Sequence, residues 1–220
     1  MMAEEKCVRY RGEMESVLKA KDIILRDFRE SDIEKRLYWE TVENEWQHWD
    51  SPWEFEGLTG SEKETHLQEL LRTLHDWALH PAPASVRRGR FQIALCEEET
   101  KCIGWVASYY ITENYIFTTS KTDRCAVGID IPDQSVRGKG YAYQALCFFI
   151  DYLLEHGESE VYTQTWSGNT RMVHIAEQMG FVECGRKKDL RMVRGKKYDW
   201  VTFQLDRKKY AAFKKEKIVW

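Results

Sequence analysis

The segment Ile129–Leu146, IDIPDQSVRGKGYAYQAL, holds the residues whose types and spacing best suit chemistry. Arg137, Gly138, Lys139, Gly140, Tyr141 and Ala142 stand between a stretch with strand character and one with helical periodicity. Small residues let a backbone approach a ligand closely, and the first N–H groups of a helix have no partner within it. With the helix dipole those donors form an anion site, to which Arg137 and Lys139 add charge. A pyrophosphate suits this chemistry, and a glycine turn that merely caps a helix would use the same residues. Two other phosphate loops are excluded by spacing. A P-loop needs four residues between its first glycine and a Gly-Lys-Ser/Thr, which this string lacks, and a dinucleotide fingerprint needs a third glycine where Tyr143 stands.

A second region, residues 44–60 (NEWQHWDSPWEFEGLTG), gathers aromatic rings and carboxylates. Trp49, Trp53 and Asp50, with Glu45, Glu54 and Glu56, suit a cationic ligand through ring-face and charge contacts. The same rings would also serve to pack the loop onto the domain. His48 is a lone histidine there and reads as filler. The six cysteines form no CxxC pair and have no histidine at zinc-like spacing, so buried free thiols and no metal are expected.

The elements that must position these residues are readable from periodicity. Lys21–Asp27 reads as a strand. Ser31–Glu34 (SDIE) and Ser61–Glu64 (SEKE) have capping-box form, and the second opens an amphipathic helix through Leu67, Leu70, Leu71, Leu74, Trp77 and Ala78 that Pro81 stops. Phe91–Glu97 and Ile103–Ile111 flank a hairpin turn, and Arg124–Ile131 is a third β segment. A helix through Ala142, Ala145, Leu146, Phe149 and Leu153 ends at Gly157. A strand Val161–Trp166, a helix Asn169–Met179 and a hairpin of Phe181–Val193 with Tyr198–Leu205 follow, then a short basic helix. Antiparallel strands leading into β-α-β-α predict a mixed sheet in one α/β domain over residues 1–220, with 1–20 as an extension and 206–220 as a tail.

A chain of 220 residues is long enough to bury a full core as one domain. Its net charge of -3 offers no electrostatic reason to bind nucleic acid. No stretch is apolar enough to span a bilayer, and the charged N-terminus lacks the apolar run of a signal peptide, so a cytoplasmic protein is expected.

Arg137-x-x-Gly140-x-Ala142 matches the Q/R-x-x-G-x-G/A acetyl-CoA motif of the GNAT superfamily. The fuller string VGIDIPDQSVRGKGYAYQAL resembles the RimJ/RimL-like branch, as do Thr165–Phe181, Arg194–Tyr210, the opening ILRDFRESD and the loop HWDSPW. The resemblance implies an α/β (α+β) GNAT fold: a mostly antiparallel sheet of about seven strands, flanked by about four helices, in which one parallel pair is splayed. That pair would be Arg124–Ile131 and Val161–Trp166. It implies acetyl-CoA as cosubstrate and an amine, on a small molecule or a protein N-terminus, as acceptor. Backbone groups of Ile129 and Ile131 would pair with the pantetheine arm, Arg137 and the amides from Gly138 through Lys139, Gly140 and Tyr141 to Ala142 would hold the pyrophosphate, and Asn169 would line the arm.

For catalysis the resemblance points to Asp130 as base or amine binder. The Tyr that many relatives carry seven residues after the motif Asn is Ala176 here, and the Ser that others carry three after it is Met172. Tyr143, Ser135 or water would then protonate the thiolate, or the thiolate would leave unaided. Trp49, Asp50 and Trp53 would contact the acceptor. The alternative is an acyl-CoA-binding module of the same fold without catalysis. A homodimer is compatible with either, and no metal, nucleic-acid or membrane partner is implied.

Overall fold

The computed structural model describes residues 17–19, 21–83 and 85–217. Among them nine strands form one sheet: β1 (Val17–Lys19), β2 (Ile23–Arg26), β3 (Arg90–Leu95), β4 (Glu98–Ile111), β5 (Phe117–Thr118), β6 (Arg124–Asp130), β7 (Glu160–Trp166), β8 (Phe181–Val193) and β9 (Lys196–Leu205). Their order is β1-β2-β3-β4-β6-β7-β9-β8, with β5 beside β4. Every pairing is antiparallel except β6 with β7. The sequence reading lacked β1, which lies in the expected N-terminal extension, and the two-residue β5. Both are too short to show a period of two.

Among the described residues six α-helices cover the sheet: α1 (Ile33–Thr41), α2 (Pro52–Phe55), α3 (Gly60–Leu79), α4 (Tyr141–Glu155), α5 (Thr170–Gln178) and α6 (Arg207–Lys217). Alternation along the strands sends successive side chains to opposite faces. Phe91, Ile93 and Val106 join the large core, where α4 buries Ala145, Leu146, Phe149, Ile150 and Leu153, and where α5 and α6 add Ala176 and Phe213. Trp105, next to Val106, points the other way into a smaller cluster with Trp39, Trp46 and Cys102 under α1 and the aromatic loop. α4 is thereby anchored along its apolar face, which fixes the position of its N-terminus.

Two helix starts differ from expectation. The box at Ser31–Glu34 does not form. Asp32 stands at the start of α1 with its carboxylate buried against Arg26 (2.7 and 2.8 Å) and accepting the Arg29 N–H (2.9 Å). The box that opens α3 lies two residues before SEKE: Thr59 N–H donates to Glu62 Oε2 (2.8 Å) and Glu62 N–H to Thr59 Oγ1 (3.3 Å). The Asp32 carboxylate thus neutralises a buried guanidinium and caps a backbone N–H ahead of the expected start, so the Ser31 cap is not needed.

Candidate active site

β6 and β7 pair over three positions only, Arg124↔Glu160 to Ala126↔Tyr162. Beyond them β6 stays bound to β4 as far as Trp105↔Asp130, and β7 to β9 as far as Trp166↔Trp200. The outer partners therefore hold the two strands apart. At the fork the buried Thr163 hydroxyl donates to the Val127 carbonyl (2.8 Å). Backbone groups two residues apart point to the same side of a strand, so those of Ile129 face the opened side. On the closed side Gly104 lets β4 come close, since a Cβ there would lie 2.1 Å from the Asp130 carbonyl oxygen.

The opening is a cavity of about 590 Å³. Gly138 (φ 76°) and Gly140 (φ 80°) turn the chain into α4 through the left-handed region that favours glycine. A Cβ built on either meets no protein atom within 4 Å. Among the described residues the amides of Tyr141 and Ala142 have no hydrogen-bond partner, while Tyr143 N–H turns back to the Gly140 carbonyl (3.1 Å). A second cavity of about 440 Å³ shares Gly140 and Tyr143 with the first and is lined by Lys21, Lys139 and Lys217. An open glycine turn, free amides at a helix N-terminus and three nearby ammonium groups fit a polyphosphate ligand such as coenzyme A.

The aromatic loop closes one side of the cavity. Its Trp49 carbonyl accepts both Asn169 Nδ2 and Trp166 Nε1, each at 2.8 Å. Asn169 Oδ1 meanwhile caps α5 by accepting the Met172 N–H (3.1 Å). Both ends of the Asn169 amide are thus in use, and it borders the cavity as a strut between α5 and the loop. Arg137 is likewise engaged, paired with Glu45 at 2.6 Å and donating to the Pro132 carbonyl at 3.4 Å.

Charge collects where β6 ends. Asp130 lies half-buried on the cavity wall opposite Trp105 in the β4 register. The Arg36 guanidinium stacks 3.7 Å from the Trp105 ring centre, and Arg90 lies 4.9 Å from it. Arg36 is also paired with Glu40 at 2.5 Å. Desolvation, then the neighbouring Asp50, pushes the Asp130 carboxyl well above the usual carboxylate range; Arg36, Arg90 and the Trp105 indole pull it back. Asp50 is exposed to the cavity, yet the protein around its carboxyl raises it to about 6, with Glu54 adding and Ser51 and Arg36 opposing. Two carboxyl groups with raised pKa values therefore share this wall, and the charge of one opposes ionisation of the other.

The cavity brings together most of the residues singled out in the sequence: Ile129, Asp130, Ile131, Arg137, Gly138, Gly140, Tyr141, Ala142, Tyr143 and Asn169, with Trp49 and Asp50 from the loop. Lys139 borders the adjoining cavity instead. Trp53 is not on the wall. Its ring packs edge-on against Trp166 and Trp200, with the Arg191 guanidinium 4.2 Å away, because the one-turn helix α2 faces it toward the sheet. Ser135 is also set aside, its hydroxyl donating to Asp133 at 2.6 Å. Ala176 is a fully buried methyl group with no proton to give. Tyr143 rests against Phe213, and burial raises its phenol, which stays protonated. Arg36, Arg90, Arg171 and Gln164 were not foreseen. They come from four elements, and no local spacing relates them.

A sheet opened along one parallel pair, with a glycine turn and free helix amides at the opening, defines the acyl-CoA-dependent N-acyltransferase architecture. The chain matches the family model for the acetyltransferase (GNAT) domain over residues 22–182. It belongs to the GNAT acetyltransferase family, whose acyl donor is acetyl-CoA. A search of curated proteins finds no match. Among solved structures the chain is similar to a ribosomal-protein-S5-alanine acetyltransferase from Vibrio fischeri (17% identity, 86% of this chain and 95% of that one, TM-score 0.60). It is also similar to RimL, a ribosomal L7/L12 α-N-protein acetyltransferase in complex with coenzyme A (16%, 86% and 97%, TM-score 0.60). A third is a chimaera of a Vibrio cholerae spermidine N-acetyltransferase (18%, 86% and 98%, TM-score 0.57). At these identities the likeness is one of fold. No described helix is long and apolar enough to cross a membrane, and no described cluster of side chains could hold a metal ion.

Proposed function

We propose that this chain transfers the acetyl group of acetyl-CoA to a primary amine that is cationic in solution, on a small molecule or a protein N-terminus. The observation that carries the acceptor side is the placing of Asp50 and Asp130 on one wall of the opened sheet, beside Trp49. Acetyl-CoA supplies an activated thioester carbon; the remaining work falls to the chain. The amides of Gly138 to Ala142 take the pyrophosphate, and the three lysines of the second cavity suit the terminal phosphate. Ile129 offers its N–H and C=O to the pantetheine amides, as a neighbouring strand would.

An ammonium group must lose a proton before its nitrogen can attack. Asp130, in its ionised form, accepts that proton, and Asp50 holds the cation nearby. Raised carboxyl groups make stronger bases once ionised, so the shifts on this wall suit the task. Tyr143 is the candidate donor to the departing thiolate, being protonated and on the cavity wall. Five free thiols among the described residues suit a reducing compartment, and we place the enzyme in the cytoplasm.

The test is release of free coenzyme A thiol across a panel of amines: polyamines, amino acids and short peptides. Turnover is expected with at least one class, and Asp130→Asn should lower kcat/KM by about 100-fold or more. Tight acetyl-CoA binding without turnover on any amine would instead make the chain a binding module.

A further inference from the structure

Glu45 borders neither cavity, yet three side chains from the cavity wall converge on its carboxylate. Oε1 accepts the Trp49 indole N–H at 2.5 Å and lies 3.4 Å from Arg171 Nη1 on α5. Oε2 pairs with Arg137 Nη1 at 2.6 Å in the turn before α4. Burial pushes this carboxyl up, but the indole N–H and the two guanidinium groups outweigh it and leave it below its ordinary range. It is therefore ionised at any pH where the enzyme would work.

Other ties run the same way. The Arg171 guanidinium stacks 4.0 Å from the Trp49 ring centre, and the Gln134 N–H donates to Glu43 Oε1 at 3.1 Å. With the Trp49 carbonyl bound to Asn169 and Trp166, the loop is fastened to the turn before α4 at one side and to β7 and α5 at the other. It spans the split in the sheet, and Glu45 is the group common to both fastenings.

We propose that Glu45 is the positioning residue of the cofactor site: it holds Arg137 and Arg171 at the edge of the cleft, poised for the phosphates of acyl-CoA. The inference rests on the reading of the cavity as an acyl-CoA site. Two opposing effects decide the sign. Removing the carboxylate frees positive charge, which favours an anion, but a partly exposed pair of this kind shifts binding by less than about fivefold. Releasing two long side chains that must be ordered again on binding costs about tenfold or more. Ordering wins, so loss of Glu45 weakens binding.

The experiment is calorimetric titration of coenzyme A and acetyl-CoA into wild type, Glu45→Gln, Glu45→Asp, Arg137→Met and the Glu45→Gln/Arg137→Met double variant, with the melting temperature of each. Glu45→Gln should raise Kd about tenfold while the melting temperature falls by only about 2–4 °C, the scale for losing partly exposed pairs. In the Arg137→Met background the same change should cost less than about threefold, because the closer of the two partners through which Glu45 acts is gone and only Arg171 remains to be ordered. Glu45→Asp keeps the charge but withdraws it by one methylene, and it should also weaken binding. An unchanged or tighter Kd in Glu45→Gln, wild-type affinity in Glu45→Asp, or an equal loss in both backgrounds would overturn the proposal. Wild-type protein that binds no coenzyme A would refute the underlying reading instead.

Discussion

Gly140→Ala separates a phosphate cradle from an ordinary helix cap. Gly140 has φ 80°, and a Cβ there meets no protein atom within 4 Å. The substitution therefore has two effects only: backbone strain, about 1–2 kcal/mol for a left-handed alanine, and a methyl group in the cleft. Gly157, with φ 90° and equally open surroundings, carries the strain alone, at the other end of α4. At roughly 2–4 °C per kcal/mol, both variants should melt about 2–8 °C below wild type. A phosphate oxygen bonded to an amide sits about 2.9 Å from the nitrogen, and a methyl group forces it away. Losing two charge-assisted hydrogen bonds at about 1.5–3 kcal/mol each raises Kd by 100-fold or more. Acetyl-CoA at a hundred times the wild-type Kd stabilises wild type by about 2.7 kcal/mol, a rise of about 5–10 °C. The same concentration only reaches Kd in Gly140→Ala, which leaves about 0.4 kcal/mol and a shift of about 1–2 °C. Gly157→Ala keeps the full shift. Scanning calorimetry of the three proteins with and without acetyl-CoA measures all of this. A Gly140→Ala protein with the wild-type ligand shift would refute the cradle, because the strain control removes every other explanation.

Asp130 must be ionised to accept a proton, so kcat/KM should fall as pH drops through about 6 and already begin to fall above it, given the directions at Asp50 and Asp130. Arg36→Met removes a cation that favours the ionised form; the acid limb should move to higher pH, and a shift of one unit lowers kcat/KM about tenfold below the limb while sparing the plateau. A loss equal at all pH values would contradict it. Thr163→Val strands the Val127 carbonyl at the fork. It should cost about 1–3 kcal/mol in denaturant titration, and an unchanged midpoint would refute the role given to that bond. Gly104→Ala drives a methyl into the Asp130 carbonyl; stopped assays should show turnover lost more than about tenfold, and full activity would mean β6 yields there. Asp50→Asn should raise the acceptor KM while the acetyl-CoA Kd, by calorimetry, stays within about threefold, and equal losses would make Asp50 structural.

The order of strands and the glycine turn were legible because each rests on local pattern. The period of two in Phe91–Leu95, the helical face of Ala145, Leu146 and Phe149, and the Arg137–Ala142 spacing all lie within one element. Where two long-range demands compete for one residue, the sequence misleads. The expected cap at Ser31 gives way to Asp32, which holds both Arg26 and the Arg29 N–H, and Trp53 looks like a ligand contact but packs on Trp166 and Trp200. Glu45 read as one acid among several facing an acceptor. Its partners, Arg137 and Arg171, are 92 and 126 residues away, a convergence that only the folded chain reveals.

The brief pairing of β6 with β7 divides the sheet by chain order. Strands from residues 17–130 build one portion and strands from residues 160–205 the other, and among the described residues they are joined in the sheet only at that short ladder. Sub-global opening follows the lines of fewest bonds, and within the sheet this seam is such a line, bridged beneath by the shared core. The expected outcome is that amides of the β8–β9 hairpin exchange faster than those of β2, β3 and α4 in the free protein, measured by hydrogen exchange. A ligand laid along the seam binds both portions at once. It turns two partly independent stabilities into one, so hydrogen exchange at strands far from the cleft slows when the cleft is filled.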